Sequence, residues 1–126
     1  MSTPLRDTLS EPSIYLPTAA TIADVRAVGK REKVFTFELP KGLSLAHQPG
    51  QFVELSILGV GEAPISISSS PSRSNGTFEL CVRKAGDLTG VLHTLKAGDT
   101  VGVRGPFGRG FPIERFRGKD MLFAPG

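Results

Sequence analysis

Gly98-Asp99-Thr100-Val101-Gly102-Val103-Arg104-Gly105-Pro106-Phe107-Gly108 reads as a β-strand framed by two turns. Gly98-Asp99 supplies the first turn, Thr100, Val101 and Val103 give an extended run, and Gly105-Pro106-Phe107-Gly108 closes it. The same unit recurs toward the N-terminus. Phe78, Leu80 and Val82 alternate within Thr77–Val82, and Gln51–Ile57 alternates in the same way. Shorter extended pieces are expected at Thr21–Val28, Val34–Leu39 and Ile65–Ser68, with Lys30–Lys33 as a hairpin turn and Gly59-Val60-Gly61 as a break. One segment changes period: Leu88, Val91, Leu92 and Leu95 fall on one helical face, with Asp87 or Thr89 available to cap its start. Six short strands and one short helix, around residues 87 to 96, predict a mainly β fold. The expected form is a six-stranded antiparallel Greek-key barrel, because closure removes exposed strand edges.

The composition suits that architecture. A chain of 126 residues has room for one compact domain. Its 39% hydrophobic fraction supplies a core, while 15 Gly and 10 Pro favour turns over a helical bundle. The net charge of +3 is spread along the chain without a basic stripe or interleaved aromatics, which disfavours a nucleic-acid partner. Cys81 is the only cysteine, so an intrachain disulfide and a thiolate-rich metal site are both excluded. Its place in a strand predicts a small buried or half-buried group. No stretch approaches the ~20 apolar residues that span a bilayer, and no basic flank leads into an apolar segment at the start. A soluble cytoplasmic protein without membrane insertion is expected. Residues 1–17, with Pro4, Pro12 and Pro17, read as an N-terminal arm, residues 18–112 as the barrel, and residues 113–126 as a connection leaving it.

Several groups could carry chemistry. Ser66, Ser68, Ser69 and Ser70 follow Pro64, and small hydroxyls on an extended strand admit a flat ligand close to the backbone; a solvated serine-rich edge strand is the alternative. Gly86-x-x-Thr89 opens the helix, where free amides can meet a phosphate or Thr89 can simply cap. Arg83, beside Lys84, would stand near that helix start and could pair with a diphosphate, or else be a solvated cation. Phe107 and Phe111 read as packing groups, and Arg109 as the freest charge in its run. His47 and His93 lack metal-ligand spacing and read as surface or loop histidines, so no metal site is expected. No nucleophile-elbow pattern surrounds Ser66 or Ser68, which disfavours hydrolysis.

In order, Pro49-Gly50-Gln51-Phe52, Ala63-Pro64-Ile65-Ser66-Ile67-Ser68-Ser69, Gly86-Asp87-Leu88-Thr89 and Gly98–Gly108 resemble the flavin-binding domain of the ferredoxin-NADP reductase superfamily. The likeness covers roughly residues 20 to 126 and is nearest to the FAD/NAD(P)-binding subunits of hydrogenase, sulfite reductase and heterodisulfide-reductase systems. The resemblance implies that Ala63, Pro64, Ile65, Ser66, Ile67 and Ser68 lie along the isoalloxazine of FAD. Ala63 and Ile65 stand where the family pattern has arginine and tyrosine, which implies a weaker diphosphate clamp and no tyrosine stacking. Ser66 keeps the serine placed near flavin N5, the one catalytic candidate. Gly86, Leu88 and Thr89 are implied at the diphosphate; that Arg83, at a basic position after the preceding strand, takes over part of the charge neutralisation lost at Ala63 is an inference from its position and not part of the resemblance.

The resemblance further implies NAD or NADP as a substrate of a longer parent, with residues 113–126 entering the first strand of a truncated NAD(P)-binding domain. A [2Fe-2S] site is possible in the absent region. The implied partner is an iron-sulfur electron-transfer subunit of a hydrogenase, sulfite reductase or related complex. An enzyme is therefore expected of the parent, and little turnover of the fragment. Two other readings stay open: a non-catalytic docking barrel that no longer retains FAD, and an OB-like nucleic-acid barrel.

Overall fold

The computed structural model of the chain describes residues 16–124; residues 1–15, most of the expected arm, and Pro125-Gly126 lie outside the described residues. Six strands form: β1 (Thr18–Ala27), β2 (Glu32–Glu38), β3 (Phe52–Ile57), β4 (Gly61–Ser66), β5 (Thr77–Arg83) and β6 (Thr100–Phe107). Helix α1 (Asp87–Leu92) lies between β5 and β6, a four-residue helix α2 (Ile113–Phe116) follows β6, and a 3-10 turn covers Pro71–Arg73. The single expected helix is thus joined by a second, shorter one.

All strand pairs are antiparallel, in the order β4-β3-β6-β1-β2-β5. The two ends of that order meet where Ile67, just past β4, bridges Leu80 of β5, and where the Ser68 amide donates to the Glu79 carbonyl at 2.9 Å. This seam closes the Greek-key barrel. Consecutive strands β1 and β2, and β3 and β4, are hairpins, while the β2-to-β3 and β5-to-β6 connections cross to non-neighbouring strands.

Alternation along the strands builds the core. Ala20, Ile22, Phe35, Phe37, Val53, Leu55, Phe78, Leu80, Val82, Val101 and Val103 point inward and are at most 5% exposed. Removing each large aliphatic or aromatic side chain from water contributes about 1.5–3 kcal/mol. Phe37 stacks between Phe35 and Phe78, with ring centroids 6.1 and 5.4 Å away. Helix α1 lays Leu88 and Leu92 into the same cluster and touches β3 and β4.

The structure corrects several expectations. Gly59-Val60-Gly61 does not interrupt the sheet but turns it: the Val60 amide donates to the Ile57 carbonyl at 2.9 Å, and β4 begins at Gly61 instead of Ile65. Gly59 and Gly61 take φ of +82° and +145°, which side chains rarely tolerate. Helix α1 stops at Leu92, because the next amides tighten onto nearer carbonyls, Thr94 to Val91 and Leu95 to Leu92. Cys81 is exposed instead of buried or half-buried, since inward Leu80 and Val82 turn it to the outer face. His47 lies in a loop as expected but is only 5% exposed, held by Nε2 at 2.9 Å from the Ser69 carbonyl. His93 is a half-buried helix-end residue whose Nε2 lies 2.8 Å from the Val82 carbonyl. Asp120–Ala124 forms no strand: no described strand lies beside it to pair with, and Met121, Leu122 and Phe123 are exposed.

Candidate functional site

Strand β4 is paired along its whole length with β3 but meets β5 only at the Ile67–Leu80 bridge. Backbone groups in an antiparallel strand point alternately to either side. The Ile67 amide points to β3, donating to the Gln51 carbonyl at 3.1 Å, whereas the Ser68 amide points to β5. By that parity Ser66 and Pro64 direct their backbone toward the seam, and Pro64 has no N–H to offer there. Between Gly61 and Ile65 the strand therefore presents a side with no strand paired to it, and α1 contacts this strand.

Side chains divide across the two faces of β4. Ala63 and Ile65, opposite Leu55 and Val53, are half-buried and packed on the core. Pro64, Ser66 and Ser68 are exposed, and Ile67 is half-buried. Ile65 and Ser66 thus face opposite sides. The hydroxyl of Ser66 makes no hydrogen bond to another described residue. Its neighbours are engaged: Ser68 Oγ donates to the Glu79 carbonyl at 3.0 Å, Ser69 Oγ accepts from the Glu79 amide at 2.9 Å, and Ser70 Oγ caps the 3-10 turn. For Ser68 to Ser70, seam closure and capping account for the hydroxyls.

At the start of α1, Thr89 Oγ1 accepts from the amides of Ala85 and Gly86 at 2.8 and 2.9 Å. Of the two candidate caps, Thr89 rather than Asp87 has the role, with Gly86 as the extended N-cap. Leu88 is 9% exposed and sends its side chain into the core, leaving only its backbone for a ligand. Open space surrounds Gly86. Arg83 is neither solvated alone nor turned to the helix start: its Nε donates to Glu32 Oε2 at 2.8 Å across the β2–β5 ladder. That guanidinium holds the Glu32 carboxyl below the usual carboxylate range.

Sequence reasoning missed a further ion pair. Arg104 on β6 reaches Glu62 on β4 with two parallel hydrogen bonds, 2.8 and 2.7 Å, and lowers the Glu62 pKa by that contact. Nothing local joins residues 42 positions apart; only the β4-β3-β6 order does. The two glycine-rich motifs also meet: Gln51 Nε2 donates to the Gly108 carbonyl at 2.8 Å, and Phe52 tilts against Phe107 at 5.9 Å. Arg109 is exposed. Among the described residues no cluster of His, Cys, Asp or Glu could hold a metal, and no helix is long and apolar enough to cross a membrane.

A cleft of about 620 Å³ lies at the opposite end of β4, lined by Pro17, the Ser56–Glu62 hairpin and Thr100–Gly102. A cavity of about 200 Å³ at the seam includes Ser69, Arg73 and Glu79 but not Ser66 or Gly86.

This closed Greek-key barrel, with one strand unpaired on one side, is the fold shared with a solved NADH-dependent ferredoxin-NADP oxidoreductase, which makes the class a reductase-type flavin domain. The oxidoreductase FAD-binding domain model matches residues 19–111, and the chain belongs to that family. It is 52% identical over 105 residues to the sulfhydrogenase 1 subunit gamma of Pyrococcus furiosus, covering 80% of this chain and 35% of that protein. It is 36% identical over 110 residues to a probable dihydroorotate dehydrogenase B (NAD(+)) electron transfer subunit of Methanocella arvoryzae, covering 87% and 38%. The chain thus spans little more than a third of these relatives. In three dimensions it superimposes on the NADH-dependent reduced ferredoxin-NADP oxidoreductase with a TM-score of 0.66 and 28% identity, over 75% of this chain and 36% of the other. The hydrogenase-type likeness read from the motifs is borne out; the dihydroorotate dehydrogenase subunits extend it.

Proposed function

We propose that this chain holds FAD for an oxidoreductase that passes electrons between NAD(P)H and an iron-sulfur partner. The observation that carries the reading is the β4 side without a paired strand, with an unengaged Ser66 hydroxyl at its end, on a strand that α1 contacts and whose N-cap Gly86 faces open space. Ile65 and Ser66 would hold the flat ring at that edge. Ala63, Pro64, Ile65, Ser66, Ile67 and Ser68 would line it, and the Gly86, Leu88 and Thr89 backbone would adjoin the diphosphate. Arg83 would reach the diphosphate only by leaving Glu32. When bound, FAD accepts a hydride pair and releases electrons singly. Ser66 orients the ring edge and can hold a proton at its hydroxyl oxygen.

The wider assembly belongs to the same proposal: residues 113–126 leading into an NAD(P)-binding domain, an iron-sulfur subunit of a hydrogenase-like complex as partner, and a [2Fe-2S] site outside this chain. Of this, the relatives' names support two parts: a sulfhydrogenase subunit supports the hydrogenase-like complex, and an NAD(+)-linked electron transfer subunit supports the nicotinamide side. A free, exposed Cys81 suits a reducing cytoplasm. Hydride transfer needs reactants roughly 3–3.5 Å apart, so this chain alone should bind FAD but turn over little NAD(P)H. Equilibrium dialysis of the chain against FAD, followed by an absorption spectrum, tests the reading; protein that takes up no FAD leaves the docking barrel in its place.

A further inference from the structure

The outer face of β4-β3-β6 carries a circuit of contacts that begins and ends on β4. Glu62 near its start receives two hydrogen bonds from Arg104, whose side chain is only 20% exposed. The same guanidinium lies over the Phe107 ring, 5.6 Å from its centroid. Phe107 meets Phe52, and Phe52 is the register partner both of Phe107 on β6 and of Ser66 at the end of β4. Glu54, between them on β3, is the register partner of Arg104 and of Pro64.

Such a circuit matters because of what β4 lacks. Its other side has no ladder between Gly61 and Ile65, so strand pairing holds it on the β3 side alone, with the core under Ala63 and Ile65 and helix α1 as its remaining supports. A strand held on one side moves more easily than one held on both. A planar guanidinium, gripping a carboxylate with two bonds while resting on an aromatic ring, fixes orientation in a way an ammonium cannot.

We propose that Arg104 is a positioning residue that braces β4 through Glu62, and so sets how the strand's open edge meets the flavin ring. The inference rests on the FAD reading above. It assigns Arg104 no contact with the cofactor. Because β4 is the strand said to touch the ring, a loosened brace changes the ring's surroundings before it threatens the fold.

The test uses the full chain carrying Arg104→Lys or Glu62→Gln, titrated with FAD by flavin fluorescence. The visible absorption and circular dichroism of bound flavin are recorded, and the melting curve of each variant without FAD. The expected result is an FAD Kd raised about tenfold in both variants, roughly one decade on the affinity scale. The visible flavin band should shift, and the loss of affinity should exceed what the small drop in melting temperature from losing a partly exposed ion pair accounts for. Lysine should not rescue, because it keeps the charge and loses the fork. Variants with unchanged Kd and unchanged flavin band overturn the inference. So does weakened binding that merely follows a lowered melting temperature with the band in place. Unsubstituted chain that takes up no FAD overturns the flavin reading and this inference together, which separates the two failures.

Discussion

The ammonium of Lys33, on β2, lies 2.9 Å from the carbonyl of His93, the residue that ends helix α1 sixty positions later. The same His93 turns its Nε2 to the Val82 carbonyl of β5 at 2.8 Å, so that nitrogen carries the proton, and its ring rests on Phe35. A cation at a helix C-terminus also meets the negative end of the dipole. Lys33→Met should cost about 1.5–3 kcal/mol, the range for hydrogen bonds with one charged partner. A urea titration checks this: the midpoint falls while the slope is unchanged.

Thr89→Val keeps the size of the side chain and removes the oxygen that receives the Ala85 and Gly86 amides. The expected loss is about 1 kcal/mol, typical of a helix cap, and Thr89→Ser should recover most of it. FAD affinity, measured alongside, should weaken in the valine variant, since the turn proposed beside the diphosphate loses its shape.

Phe37 is fully buried between two other rings. Phe37→Ala should destabilise the chain by about 3–5 kcal/mol. Leu58→Ser, on the fully exposed hairpin tip, should stay within about 0.5 kcal/mol of zero. Paired melting curves decide between them; similar losses at both sites would contradict the assigned core.

Acid should loosen the two ion pairs. Arg104 beside Glu62 and Arg83 beside Glu32 hold both carboxyls below their ordinary range by hydrogen bonding. In the unfolded chain these groups take up protons first as pH falls, so the unfolded state binds more protons through that interval and stability declines. Their contribution is present above the usual carboxylate range and lost as pH drops through the folded values. Glu62→Gln should flatten the acid limb of a melting-temperature profile; an unchanged limb would remove Glu62 from it.

Strand identity was legible where alternation was clean, as in Phe78-Glu79-Leu80-Cys81-Val82. That same pattern already placed Cys81 opposite Leu80 and Val82, but the apolar character of the thiol argued the other way, and geometry prevailed. The β4 start was hidden because glycines that turn a hairpin look the same in sequence as glycines that end a sheet. Motif order made the family readable without coordinates. What a side chain does with its charge was not readable, since Arg83 meets a residue 51 positions away and Arg104 one 42 away. His47 likewise looked like an ordinary loop residue, because its burial depends on Ser69, which only folding brings near.

Pro64 has a consequence for the protein before any cofactor arrives. An unpaired strand edge is a template on which another copy can add its own strand, the first step toward polymer. At Pro64 the seam side of β4 has a missing donor in the middle of that edge, so an incoming strand would find its ladder broken there. The side proposed to meet the ligand is thereby a poor template for strand addition by another copy of the chain.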